Sequence, residues 1–395
     1  MKKNIFIRIS ALLTPVFLFS ACNFRQAALV EANIEGGIAA DTAYIRYSPL
    51  GVSDTVAFDT VVLQEGRFSW NPAIEKPVEV LIELGRDRVS IKGRPLTAPE
   101  VYRIKFLAQP NEKIRLHAVY EENFLTYDLA GSSDLAMQSR LRNSVKEAYI
   151  KSEQLTELIR TEMANGAEYA DEQYVDSLYD AYQAARTEIA DACLDYVRRN
   201  TGKLHAAWLL LNHPQTDTFL LYYPRLKESV RQGILKENLE EWHEIAQRRH
   251  ALRQNEERVS VGAEAPGFTL MGLDGEPVRL SDFADRYVVL DFWGTWCQWC
   301  VKGIPQMKAA YAKHKGKVVF LSIACRDREE RVKAFVEKEK ISWINVMNGE
   351  EALDVAFLYG VSGYPTKILL EPGLKVKNRY LGEVPEFYQD LDNLQ

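Results

Sequence analysis

The spacing of hydrophobic residues changes twice along the 395-residue chain. Between about residues 33 and 129, apolar and polar positions alternate in short runs separated by Gly and Pro, as in the segment 78–84, VEVLIEL. This alternation is typical of β-strands with one buried face, and the separators are typical of turns. We therefore predict an N-terminal antiparallel β domain over residues 22–130.

From about residue 134 the spacing becomes that of α-helices. Two sets of mostly apolar residues recur every three or four positions, which places each set on one face of a long amphipathic helix. The first set is Leu141, Val145, Ala148, Ser152, Leu155 and Ile159, and the second is Tyr174, Leu178, Ala181, Ala185, Ile189, Cys193 and Tyr196. We predict a central α-helical domain over residues 131–257, with Cys193 as a buried structural residue.

Strands and helices alternate after residue 258, as they do in α/β domains. Two short strand patterns flank the turn Asp274-Gly275 and predict a hairpin. The apolar run 287–292 predicts a strand buried on both faces of a sheet, and a helical pattern over 301–313 follows it. The sequence thus predicts a multidomain protein whose third part, residues 258–395, is a C-terminal α/β domain.

Composition limits the possible functions. Hydrophobic residues make up 47% of the chain and charged residues 26%, as in ordinary globular proteins. The formal charge of -6 argues against a nucleic-acid partner. Five cysteines are too few and too scattered for the disulfide framework of a small secreted scaffold. Only Cys297 and Cys300 are closely spaced.

The N-terminus has the pattern of a targeting segment. Two lysines precede an apolar run over 9–19, which is shorter than the roughly 20 residues needed to span a bilayer. The run is followed by Ser20-Ala21-Cys22, and this ending resembles the lipobox of bacterial lipoproteins. This resemblance implies a signal peptide over residues 1–21, lipidation of Cys22 and membrane attachment in a bacterial cell envelope. An ordinary cleaved signal, with Cys22 unmodified, is the alternative.

The pair Cys297 and Cys300 has the spacing of a redox-active site. Cys297 precedes a predicted helix, where unpaired N–H groups and the positive end of the helix dipole stabilise a thiolate. Cys300 follows one helical turn later, near enough to form a disulfide. Zinc is the alternative ligand for such a pair, but a structural zinc site needs a second pair of ligands. We predict no metal and no cofactor besides this redox-active disulfide.

Residues 260–394 resemble the TlpA/ResA branch of thioredoxin-like proteins. The motif WGTWCQWC over 293–300 carries the resemblance, together with Asp291, Pro305 and the dipeptide Tyr364-Pro365. The resemblance implies a thioredoxin-like fold and a thiol-disulfide oxidoreductase of the protein-disulfide reductase type. The domain over 22–130 loosely resembles a β-rich domain of unknown function that precedes such domains in bacterial lipoproteins.

The resemblance also implies roles for individual residues. Cys297 is expected to attack the substrate disulfide, Cys300 to resolve the mixed disulfide, and Asp291 to accept the proton of Cys300. Pro305 is expected to kink the active-site helix. A cis peptide bond is expected before Pro365, facing the disulfide. The residues expected to contact the substrate are Trp296, Trp299, Tyr364 and Pro365.

Two positions depart from the family pattern. Gln298-Trp299 separates the cysteines where many relatives have a proline before the second one, and Gly303 stands where ResA-like relatives have a glutamate that tunes the site. The reduction potential is therefore not predicted. Cys325 follows a predicted strand whose carboxyl end faces the active site, so a third thiol near the site is one alternative; we interpret Cys325 as a buried or idle cysteine.

The predicted function is reduction or isomerisation of disulfides in exported proteins, with electrons supplied by a membrane thiol-relay protein. A peroxiredoxin of the AhpC/TSA type is an alternative, but the residues before Cys297 lack the proline of the loop Pro-x-x-x-Thr-x-x-Cys. The second alternative is a surface lipoprotein that binds a partner and carries a redox-sensing thioredoxin-like domain.

Overall fold

The computed structural model describes residues 29–36, 41–51, 55–85, 90–91, 94–95, 103–121, 124–164, 172–213, 215–350 and 354–394. The predicted signal peptide and Cys22 lie outside these residues. The described residues form two compact units. The front unit contains those up to His213 and Arg225–Leu239, and the second unit contains those from 215 to Pro224 and from Glu240 onward. None of the described helices is long and apolar enough to cross a membrane.

The N-terminal part of the front unit consists of β-strands. They are β1 (Leu29–Gly36), β2 (Thr42–Pro49), β3 (Ala57–Val62), β4 (Arg67–Trp70), β5 (Val78–Gly85), β6 (Ser90–Ile91), β7 (Arg94–Pro95), β8 (Arg103–Ala108), β9 (Lys113–Glu121) and β10 (Phe124–Ala130). Two four-stranded sheets have the orders β10-β9-β1-β4 and β3-β2-β5-β8, and β6 pairs with β7. Their alternate side chains form one hydrophobic core that includes Val30, Ile45 and Phe106.

One pairing differs from the predicted antiparallel domain, because β1 and β9 run parallel. The other strand pairs described in this part of the chain are antiparallel. Alternation of apolar and polar residues shows that a strand has one buried face, but it is the same for either direction of its neighbour. The direction of β9 relative to β1 depends on the long connection between these two strands, and the local sequence pattern does not indicate it.

Helices follow the strands. They are α1 (Ser133–Ser144), α2 (Lys146–Ala164), α3 (Glu172–Arg199), α4 (Leu204–Asn212), α5 (Thr216–Tyr222), α6 (Glu228–Arg231) and α7 (Lys236–Arg258). The predicted helix through Leu141 and Ile159 is in fact two helices, because Val145 leaves the helical conformation. The Ser144 hydroxyl donates to the Leu141 carbonyl, a local bond that competes with the helix. Cys193 is buried, as predicted.

A five-stranded sheet forms the centre of the second unit. The elements are β11 (Thr269–Met271), β12 (Pro277–Arg279), β13 (Tyr287–Trp293), α8 (Gln298–His314), β14 (Val318–Ala324), α9 (Glu329–Lys338), β15 (Ile344–Met347), α10 (Val355–Leu358), β16 (Thr366–Glu371), β17 (Lys375–Leu381) and α11 (Pro385–Asp392). The sheet order is β15-β14-β13-β16-β17. The predicted hairpin is confirmed, because β11 pairs with β12 around Gly275, whose φ is 89°.

The central strand β13 presents a different set of residues to each face of the sheet. Leu290 and Phe292 belong to the core on one face. On the other face, Val289 packs with residues of α8, and Trp293 packs with Cys297 and Cys300. Because successive side chains of a strand alternate between faces, Asp291 lies between these two, on the α8 side. The predicted buried strand is confirmed, and it positions Asp291 on the same side of the sheet as the cysteines.

Candidate active site

Cys297 and Cys300 form a disulfide at the N-terminus of α8, with their Cα atoms 5.3 Å apart. Cys297 is the N-cap residue, and its Sγ accepts a hydrogen bond from the Cys300 amide at 3.2 Å. Only 6% of Cys297 and 4% of Cys300 are exposed. After reduction, the same amide and the helix dipole would stabilise a thiolate at Cys297.

The segment between β13 and α8 is held in place by its neighbours. The Thr295 amide and hydroxyl both donate to Oδ2 of Asp327 at 2.7 Å, and the Cys325 amide donates to the Trp293 carbonyl at 2.8 Å. A Cβ atom at position 294 would lie 2.5 Å from Nε1 of Trp296, so this position requires glycine. These contacts fix where α8 begins, and therefore where the disulfide lies.

Two tryptophans flank the disulfide and reach the surface, with 42% of Trp296 and 66% of Trp299 exposed. Trp296 donates a hydrogen bond from Nε1 to the Cys325 carbonyl at 3.0 Å. The ammonium of Lys302 lies 4.8 Å from the centre of a Trp299 ring. An exposed aromatic surface of this kind is a common docking site for a polypeptide.

The predicted cis peptide bond between Tyr364 and Pro365 is present, directly before β16. Tyr364 packs against the cluster that contains both cysteines. Pro365 is buried, and its carbonyl accepts a hydrogen bond from the Gly382 amide at 2.8 Å. The structure thus places Tyr364 beside the disulfide, and Pro365 follows it directly. Pro305 lies inside α8, at the position predicted for the helix proline.

Asp291 is almost fully buried beneath α8. Oδ2 accepts a hydrogen bond from the Ser322 hydroxyl at 2.9 Å, and Ser322 in turn accepts one from Nε1 of Trp343 at 2.8 Å. Burial raises the pKa of Asp291, while the Lys367 ammonium and the Ser322 bond oppose the increase. A carboxylate that binds a proton more tightly than usual is suited to accept one from a thiol.

Sequence reasoning missed Lys367 and Glu383. Lys367 lies opposite Asp291 in the register of β13 and β16, with its Nζ 3.8 Å from Oδ1 of Asp291. The same Nζ donates to Oε1 of Glu383 at 2.5 Å. The sequence contains one signal for this pair, a lysine within the apolar run TKILL over 366–370. Its partner Glu383 lies outside this strand, so the sequence pattern does not connect the two residues.

Cys325 lies beside the site and is completely buried. Its Sγ donates to the Ile323 carbonyl at 3.4 Å and forms no disulfide. Burial is the main cause that raises the pKa of Cys325 to about 12, so the thiol stays protonated near neutral pH. The interpretation of Cys325 as buried is confirmed. Within the described part of the chain, no group of three or more metal-ligating side chains could hold an ion.

A helix-capping Cys-x-x-Cys disulfide, and a cis-proline whose preceding tyrosine packs beside that disulfide, on a five-stranded mixed sheet define a thioredoxin-like thiol-disulfide oxidoreductase. The AhpC/TSA family model matches residues 261–379, which lie within the second unit.

Known proteins similar to this chain include two named ResA. The thiol-disulfide oxidoreductase ResA of Bacillus thuringiensis subsp. konkukian is 35% identical over 130 residues, which are 32% of this chain and 73% of the relative. ResA of Bacillus subtilis is 31% identical over 139 residues, or 35% of this chain and 76% of the relative. The crystal structure of the thioredoxin domain of a thiol-disulfide oxidoreductase from Bacteroides vulgatus is 30% identical, covering 34% of this chain and 96% of that one, with a TM-score of 0.32. The chain belongs to the ResA-like thiol-disulfide oxidoreductases.

Proposed function

We propose that this protein reduces or isomerises disulfides of exported proteins, through cycles in which Cys297 and Cys300 alternate between dithiol and disulfide. The proposal depends on one observation. The Sγ of Cys297 caps α8 and accepts a hydrogen bond from the Cys300 amide. The names of the ResA relatives support the reaction class, and disulfide-bearing proteins are the substrates we infer from it.

The reaction begins with the reduced enzyme. The Cys297 thiolate attacks one sulfur of the substrate disulfide, whose S–S bond breaks; the second substrate sulfur leaves as a thiolate and takes a proton from water. Cys300 then transfers its proton to Asp291 and attacks the sulfur of Cys297. The first substrate sulfur leaves with the electron pair of the mixed disulfide. The substrate gains two electrons, and the enzyme is left with the Cys297–Cys300 disulfide.

Asp291 is the group we assign to the proton of Cys300. It lies on the α8 side of β13, two residues before Trp293, which packs with both cysteines. Burial raises its pKa and so strengthens it as a base. Among the residues of β13, Asp291 is the one carboxylate on this face, since its neighbours there are Val289 and Trp293.

The substrate is proposed to lie across the exposed tryptophans and the cis-proline. Trp296 and Trp299 offer apolar area beside the disulfide, and Tyr364 packs beside it from the segment directly before β16, where Pro365 follows. Contact with large aromatic surfaces tolerates many sequences, as an enzyme with several client proteins requires.

The cell envelope is the proposed location. Residues 1–21 have the pattern of a signal peptide, and lipidation of Cys22 would attach the enzyme to a membrane. Each cycle consumes two electrons, so a membrane thiol-relay protein is the proposed donor. The segments 22–130, 131–257 and 258–395 remain the proposed domains, and the first two are assigned no chemistry.

Two other functions correspond to specific features. The match to the AhpC/TSA model favours a peroxidase, whose substrate would be a peroxide instead of a disulfide. A surface lipoprotein that binds a partner and senses redox state would use the front unit for recognition. Measured turnover separates these from the proposal, because only the proposed enzyme reduces protein disulfides over many cycles at the expense of a thiol donor.

Trapping of the mixed disulfide tests the proposal. The full-length Cys300→Ala variant should form stable mixed disulfides with oxidised insulin and with envelope proteins, because nothing resolves them. Cys297→Ala should form none, and Cys193→Ala should behave as the wild type. Undiminished turnover in either active-site variant, or reduction of peroxide but not of insulin by the wild type, would exclude the proposed function.

A further inference from the structure

A buried row of charged side chains links the sheet to α8. Lys367 is directly opposite Asp291 on antiparallel strands, so both side chains lie on the α8 face. The side chain of Lys367 is 2% exposed, that of Asp291 7% and that of Glu383 17%. The ammonium is 2.5 Å from Glu383 and 3.8 Å from Asp291. Two carboxylates therefore share one buried cation, and the closer contact is with Glu383.

Glu383 is fixed by further contacts. It lies in the short connection between β17 and α11, and the Tyr388 hydroxyl donates to its Oε2 at 3.0 Å. Its carboxyl group lies against the backbone of α8 at Gly303, where any Cβ atom would overlap it. Gly303 is not at a positive φ, so the requirement for glycine there comes from the space that Glu383 occupies.

The charges of Lys367 and Glu383 act on Asp291 in opposite directions. The Lys367 ammonium lowers the pKa of Asp291, and the Glu383 carboxylate raises it, in addition to the larger effect of burial. In a buried site such charge interactions are strong, because little water screens them. Because Glu383 forms the closer ion pair with Lys367, it weakens the electrostatic attraction between Lys367 and the Asp291 carboxylate.

We propose that Glu383 is a positioning residue for the resolving step, and that Gly303 provides the opening in α8 that it occupies. Through Lys367, Glu383 sets how tightly Asp291 binds the proton that it takes from Cys300. This inference rests on the role proposed for Asp291.

The other titratable groups near Asp291 do not carry a charge that would set its pKa in place of Lys367 and Glu383. The titratable groups that act on Asp291, or that lie in the cysteine cluster beside it, are Lys367, Glu383, Tyr388, Tyr364, Cys325, Cys297 and Cys300. Burial raises the pKa of Tyr364, so its hydroxyl is uncharged near neutral pH. Burial raises the pKa of Tyr388 and of Cys325, so both are uncharged near neutral pH. In the resolving step Cys297 belongs to the mixed disulfide and carries no charge, so Glu383 and Lys367 are the charged groups that adjust the acidity of Asp291.

The resolving step can be observed on its own. Reduced full-length protein carrying Cys22→Ser is mixed with 5,5′-dithiobis(2-nitrobenzoate) across a range of pH. Attack by Cys297 releases one thionitrobenzoate, and resolution by Cys300 releases the second. The rate of the second release should rise with pH as Asp291 loses its proton, and the midpoint of that rise is the quantity to compare.

The variants should move this midpoint in opposite directions. Glu383→Gln should shift it to lower pH by about one unit, and Lys367→Met should shift it to higher pH by a similar amount. Glu383→Asp should stay near the wild type. Glu371→Gln is the matched control, because Glu371 of β16, the strand that carries Lys367, pairs with Lys377 of β17 at 3.2 Å at the surface. It should leave the midpoint unchanged.

Gly303→Ala provides an independent check. Its methyl group would displace the Glu383 carboxylate, so the midpoint should move in the direction of the Glu383→Gln shift. Gly316→Ala is its control, because a Cβ atom there meets no other atom within 4 Å.

Two failures are distinguishable. If the wild type releases only one thionitrobenzoate, the resolving mechanism itself is wrong, and the proposed function with it. If the wild type releases two and Glu383→Gln slows the second release equally at every pH without moving its midpoint, Glu383 has only a structural role. That result would overturn this inference and leave the proposed function intact.

Discussion

Trp296 packs edge-to-face against Tyr364, with their ring centres 5.3 Å apart. The same indole donates a hydrogen bond to the Cys325 carbonyl, so it is fixed although nearly half of it is exposed. A rigid aromatic side chain loses little conformational entropy when a partner binds to it. We infer that Trp296 is a preformed part of the substrate-binding surface.

Replacement of Trp296 by Ala should weaken substrate binding. We expect KM for insulin to rise about fivefold, which corresponds to about 1 kcal/mol, the typical value of an aromatic contact. The kcat value should change less than twofold, and turnover of oxidised glutathione should be nearly unaffected. An equal loss with both substrates would indicate a damaged active site instead of a lost contact.

Cys325 should be dispensable for catalysis. Because burial keeps its thiol protonated, Cys325→Ala should retain the disulfide-reductase activity within about twofold. The cavity left by the sulfur should lower the free energy of unfolding by about 1 kcal/mol, measured by urea denaturation. A tenfold loss of kcat in a correctly folded Cys325→Ala variant would assign this third thiol a role in the cycle.

Asp291→Asn should slow the resolving step. Removal of a general base typically costs 10²- to 10⁴-fold, so the second release of thionitrobenzoate should slow by at least about a hundredfold while the first is preserved. The comparison of the two releases in one experiment is its own control. Equal rates of the second release in variant and wild type would show that Cys300 loses its proton elsewhere.

Asp291→Asn should also change how the free energy of unfolding depends on pH. Because the pKa of Asp291 is raised in the folded protein, folding favours its protonated form, and this contribution is present at low pH. It is lost as the pH rises from the ordinary aspartate value through the raised pKa. Asp291→Asn should therefore gain stability relative to the wild type across that interval. Denaturation curves at several pH values measure the difference, and a constant difference would contradict the assigned shift.

The sequence predicts the catalytic core of the second unit well, since its signals are local. The apolar run that becomes β13, the Asp274-Gly275 hairpin and the two cysteines at a helix start each depend on neighbouring residues. The cis peptide bond before Pro365 was predicted from the order of elements in the family, and it is present.

Other features depend on contacts between distant parts of the chain. The parallel pairing of β1 with β9 joins strands about 80 residues apart, as their register shows. Glu383 reaches Lys367 and Gly303 from a third element, and no spacing in the sequence connects these residues. The sequence shows that Gly303 stands where ResA-like relatives have a glutamate. It does not show that the carboxylate of Glu383 fills the space beside that glycine.

The acidity of the Cys297 thiol shows whether the N-terminus of α8 makes this cysteine the nucleophile. In reduced full-length protein carrying Cys22→Ser and Cys300→Ala, Cys297 keeps its place at the start of α8, and its rate of alkylation by iodoacetamide can be measured from pH 4 to 10. The proposed nucleophilic role of Cys297 predicts a midpoint well below the value of about 8.5 for free cysteine, because the N-terminus of the helix favours the thiolate. A midpoint at or above that value, with no mixed disulfide formed on oxidised insulin, would contradict it.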